Sequence, residues 1–87
     1  MLAHAADFLA REDGAPHEAA LAHFAAWLAA RGLDEAHVGQ PQLDEYLYHL
    51  ALEGANSARL DQAVAALKGY FAFRASREGA PDPADGL

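Results

Sequence analysis

The chain has no cysteine, no isoleucine and no threonine, and its only β-branched residues are Val38 and Val64. Without cysteine there is no disulfide, no thiolate metal ligand and no thiol nucleophile. With β-branched residues so scarce, strands lack the side chains that suit a pleated surface. Serine is nearly as rare, at Ser57 and Ser76 alone, which leaves little material for hydroxyl-based nucleophilic catalysis. No apolar run approaches the roughly 18 residues a membrane-spanning helix needs. The N-terminal "MLAHAADFLARE" also lacks the basic start and continuous apolar block of a signal peptide. These two absences set the expectation of a cytoplasmic protein with no membrane partner. Cations are few too: six Lys and Arg stand against 13 Asp and Glu, a formal charge of −7.

What the chain does contain is alanine, 23 residues, and leucine, 12 residues, supplemented by four Phe, three Tyr and one Trp. Alanine and leucine lead the helix scale, so the composition points to an all-α fold. A length of 87 residues suits one domain with a single core. Much of the 53% hydrophobic content is alanine, which buries little area but lets helices approach closely.

Four helices separate along the chain. The first is expected from about Leu2 to Glu12, with Leu2, Ala5, Ala6 and Leu9 on one face, and "DGAP" breaks it. The second is expected from Pro16 to Arg31, where Leu21, Phe24 and Leu28 recur at helical spacing and Trp27 widens the stripe. Gly32 supplies its left-handed stop. A connector follows in which Leu33 and Val38 are expected to tuck under the bundle. The third helix runs from about Pro41 to Glu53, with Leu43, Tyr46, Leu47 and Leu50 inward. Asn56 or Ser57 caps the fourth, about Ala58 to Glu78, whose stripe is Leu60, Val64, Leu67 and Phe71. The expected organisation is a compact four-helix bundle with short connectors over residues 1–79 and an irregular, linker-like tail over 80–87.

Chemistry is thinly represented. The five histidines, His4, His17, His23, His37 and His49, show no metal-ligand spacing, and the expectation is no metal and no cofactor. The adjacent carboxylates Asp34–Glu35 and Asp44–Glu45 diverge on a helix and read as solvated faces. No phosphate-cradling glycine loop is present, so the chain is not expected to be an enzyme by itself. Positive charge concentrates at one place. Residues 57–78 hold Arg59, Lys68, Arg74 and Arg77 against Asp61 and Glu78, whereas the rest holds Arg11 and Arg31 against eleven acids, a net of −9. Tyr70 and Phe73 lie off the main stripe of the last helix. Two readings are open for them: a helix buried on two sides, or an exposed aromatic–basic face.

The order of these elements resembles the N-terminal core-binding domain of the tyrosine recombinase (phage integrase) family, a SAM-like four-helix bundle. "FAAWLAARGL" (Phe24–Leu33) is similar to the family's second helix and turn, and "VGQPQLDEYLYHLALEG" (Val38–Gly54) to its third. "NSARLDQAVAALKGYFAFRASREGAPDPADGL" (Asn56–Leu87) is similar to its fourth helix and the linker beyond. The resemblance implies a domain that arches over one side of duplex DNA while a separate catalytic domain, absent here, cuts and rejoins strands. It assigns DNA contacts to Arg59, Gln62, Lys68, Arg74 and Arg77, and names as partners duplex DNA, a catalytic recombinase domain and neighbouring core-binding domains. The chain departs from the family's pattern early in the fourth helix, where Arg59, Gln62 and Ala63 stand in place of a Thr and one or two Arg. It departs again in the shortened second helix, where the family's Ser/Thr–Tyr–Arg cluster has no clear counterpart and "APHEAALAH" offers only His17 and His23. An acidic relative that serves as a protein-interaction module is the alternative, with a DNA-mimic-like inhibitor behind it.

Overall fold

The computed structural model describes residues 4–11, 15–79 and 81–87. Helices α1 (Ala5–Leu9), α2 (Glu18–Arg31), α3 (Gln40–Leu52) and α4 (Ser57–Glu78) form an all-α bundle, with short 3-10 turns at Ala15–His17 and Glu35–His37. The radius of gyration is 12.0 Å, that of a compact chain of this length. Leu2 and Glu12, expected in the first helix, lie outside the described residues.

Local chemistry sets the ends of the three long helices. Gly32 (φ 68°) and Gly54 (φ 92°) adopt the left-handed conformation just past α2 and α3. At α2 the Leu33 amide donates to the Leu28 carbonyl at 2.9 Å and the Gly32 amide to Ala29 at 3.1 Å. The same pair recurs at α3, from Ala55 to Leu50 and from Gly54 to Ala51, both at 3.1 Å. Each is a Schellman ending that satisfies carbonyls the helix would otherwise orphan. The α4 start is capped by Asn56, whose side chain accepts from the Arg59 amide at 2.9 Å. At the start of α3 the Gln42 side chain accepts from the Gly39 amide at 2.8 Å.

Helix α4 is central, packing against α1, α2 and α3. Its buried face is wider than the leucine stripe: Ala63, Ala66, Leu67, Tyr70, Phe71 and Phe73 are buried, while Leu60 and Val64 are half-buried. Tyr70 and Phe73 therefore belong to a helix buried on two sides, not to an exposed aromatic face. Phe24 sits at the middle of the core, edge-on to Tyr46 at 4.9 Å and to Phe71 at 6.0 Å between ring centroids. Val38 is buried and Leu33 half-buried, so the connector does reach under the bundle. The tail is irregular but docked, with Ala84 fully buried and Leu87 packed against the core.

One expectation about charge is overturned. Glu35 is not part of a solvated face: it is 7% exposed. Asp34 caps the 3-10 turn, accepting from the Ala36 amide at 3.0 Å, and so points outward. The next residue is thereby turned inward, where Glu35 accepts a hydrogen bond from the Tyr70 hydroxyl at 2.5 Å. Asp34 also holds His37 at 2.7 Å, and this bond is the main reason its carboxyl lies below the usual range.

Candidate nucleic-acid interface

Four of the chain's six Lys and Arg project from α4, and a helix turns 100° per residue, so their numbers fix their sides. Arg59 and Arg77, 18 residues apart, share one side of the helix about 27 Å from each other. Lys68 lies midway on the opposite side. The structure thus spreads the candidate contacts over the helix rather than gathering them.

Each has its own surroundings. Arg59 and Gln62, on the first two turns, are exposed, and neither side chain has a hydrogen bond or ion pair among the described residues. Lys68 is exposed, and its Nζ donates to the backbone oxygen of Leu87 at 3.0 Å, which ties the tail to the helix. Arg77 has a half-exposed side chain that lies over the Phe73 ring at 4.8 Å, with Asp7 4.0 Å away.

Arg74 differs in kind. Its side chain is 11% exposed, and its Nε lies 3.4 Å from Glu35 Oε2 and 2.8 Å from Glu78 Oε2. The buried Glu35 and the surface Glu78 neutralise it, which withdraws it from the set able to reach a phosphate. Tyr70 completes this cluster: its hydroxyl donates to Glu35 and accepts from the His4 amide at 3.1 Å. Burial, reinforced by the Glu35 carboxylate, pushes the Tyr70 phenol well above its ordinary range.

Sequence reasoning passed over Arg11. It lies at the end of α1, yet its guanidinium stands 5.2 Å from the same Phe73 ring that Arg77 covers at 4.8 Å. A cleft of about 570 Å³ opens there, bordered by Arg11, His17, Ser76 and Arg77 over a floor of Phe8 and Phe73. No local signal marks Arg11, because only the packing of α1 on α4 brings it to this place. Among the described residues no three His, Asp or Glu side chains converge as metal ligands.

A second cavity lies at the other end of α4, where Arg59 and Gln62 meet His23, Tyr46, Leu50 and Ala63. Tyr46 is buried and its hydroxyl lies 2.8 Å from His23 Nδ1. Burial pushes its phenol up to about 12, with Arg59 opposing the rise and Glu53 adding to it. Comparison with protein-family models, with curated proteins and with solved structures gives no match to this chain.

Proposed function

We propose that this chain is a DNA-binding domain of the SAM-like core-binding type used by tyrosine recombinases, holding duplex DNA along α4 and doing no chemistry of its own. The observation that carries the reading is the concentration of cations on the longest helix, of which Arg59 and Arg77 remain exposed along one side. Gln62 beside Arg59 and Arg11 beside Arg77 extend the two ends of that surface. Contacts of this kind grip phosphates and set position, with little direct readout of bases. The acidic remainder of the molecule opposes approach at long range, so affinity is expected to be weak and to require low salt.

The test is titration of the domain into a fluorescent duplex of roughly 30 base pairs over rising salt, where each phosphate contact adds about −0.9 to the slope of log affinity against log salt. A slope between about −2 and −4 that collapses in the Arg59→Ala/Arg77→Ala variant supports the proposal. Absence of binding even at low salt overturns it. The protein-interaction alternative would then lead, favoured by Tyr48 and Leu52. These neighbours one turn apart on α3 are, among the described residues, the large apolar side chains left open to solvent, at 65% and 69% exposure.

A further inference from the structure

The cavity at the start of α4 combines three properties that together describe a ligand. Its walls are largely apolar, with Ala20 from α2 half-buried and Leu50 from α3 and Ala63 from α4 showing only 2% and 5% of their surface. Its rim carries Arg59 and Gln62, both exposed and both without a side-chain partner among the described residues. Asn56 already takes the Arg59 amide, which fixes this turn of the helix and leaves the guanidinium as the group on offer.

The polar groups at the floor are, by contrast, already satisfied. The Tyr46 hydroxyl lies within hydrogen-bond distance of His23 Nδ1, at 2.8 Å. His23 Nε2 faces Glu53 at 3.8 Å, and Glu53 in turn holds His49 at 3.2 Å. A ligand reaching the floor therefore needs no polar atom there. It needs an apolar body below and one anionic head at the rim.

Size and charge narrow the class. The cavity measures about 250 Å³. An apolar cavity near 150 Å³ accepts benzene, so a body with its head group of roughly ten non-hydrogen atoms is the upper limit here. A guanidinium fork matches the two oxygens of a carboxylate, and the neighbouring amide of Gln62 adds a third donor. One guanidinium, with the Glu53 carboxylate close to the floor and a chain of charge −7, disfavours a dianion. We propose that this cavity binds a small monocarboxylate, its carboxylate held by Arg59 and Gln62 and its apolar body set against Ala20, Leu50 and Ala63. The site is independent of the DNA reading, although Arg59 and Gln62 serve both.

The experiment is an amide NMR titration of the whole chain near neutral pH, without DNA, using isocaproate, its neutral carboxamide and inorganic phosphate in turn. Isocaproate is expected to give saturable shifts at Gln62, Ala63 and Leu50. The carboxamide should bind about tenfold more weakly or worse, because it forfeits charge-assisted hydrogen bonds. Phosphate should not saturate. Arg59→Gln should cost a similar factor with the remaining spectrum unchanged, and Ala19→Leu, which fills the mouth from an exposed position, should abolish the shifts. Equal affinity for acid and amide, an unchanged affinity in Arg59→Gln, a preference for phosphate, or no saturable shift at Ala63 and Leu50 with isocaproate would each overturn the assignment. Because DNA is left out, none of these outcomes bears on the duplex titration.

Discussion

Glu35 and Arg74 carry opposite charges into the interior, with side-chain exposures of 8% and 11%. Each makes the other tolerable, and removing one partner of such a pair strands the remaining charge. Arg74→Met is therefore expected to lower stability by about 3 kcal/mol, because it takes the guanidinium away from the buried Glu35 carboxylate. The double variant Glu35→Gln/Arg74→Met removes both charges and keeps a hydrogen-bond acceptor for Tyr70, so it should recover a large part of that loss. Urea denaturation of the two variants checks the order. Arg74→Met should also leave the salt slope of DNA binding unaltered, unlike Arg59→Ala or Arg77→Ala. The sequence could not separate these arginines. An arginine on an amphipathic helix reads as solvent-facing, and the Glu35 that meets Tyr70 lies 35 positions away in a connector. Only the outward pull of the Asp34 cap explains why one of two adjacent acids turns inward.

At the level of elements, α2, α3 and α4 were legible because their signals are local. Leu21, Phe24 and Leu28 repeat at the helical period, Gly32 and Gly54 stop two helices, and Asn56 starts a third. Helix α1 was less legible, since its described span is five residues with a single buried side chain, Phe8, and tertiary packing decides where it lies. The glycine stops offer a clean test of backbone conformation. A Cβ added at Gly32 meets no atom within 4 Å, so no clash contributes to the effect. The φ of 68° alone penalises a side chain there. Gly32→Ala is expected to lower the midpoint of urea denaturation by an amount equivalent to about 1 kcal/mol, with the slope of the transition unchanged. An unchanged midpoint would mean that the α2 end relaxes into another turn without loss.

For the whole molecule, charge and tail act together. The cations cluster on α4 while the surrounding surface is acidic, and that asymmetry was visible in the sequence. The return of the tail was not. After α4 the chain runs back beside the Ala36–Gly39 connector, where Pro81 and Pro83 line a shared hollow. It then buries Ala84 completely and brings the Leu87 carbonyl to Lys68 Nζ at 3.0 Å. A Pro- and Asp-rich stretch carries no periodic signal, so its docking depends on the finished shape of the bundle. The tail accordingly does two things. It stabilises the bundle by covering apolar surface, and it occupies Lys68, the exposed cation on the side of α4 opposite Arg59 and Arg77. Deleting residues 81–87 is expected to cost about 1–2 kcal/mol of stability from the lost burial of Ala84 and Leu87. The same deletion frees Lys68, yet because Lys68 faces away from Arg59 and Arg77 the salt slope of duplex binding should stay that of the parent. A variant whose slope steepens by about 0.9 would instead bring Lys68 into the DNA contact and overturn the reading in which Arg59 and Arg77 hold the duplex from one side of α4.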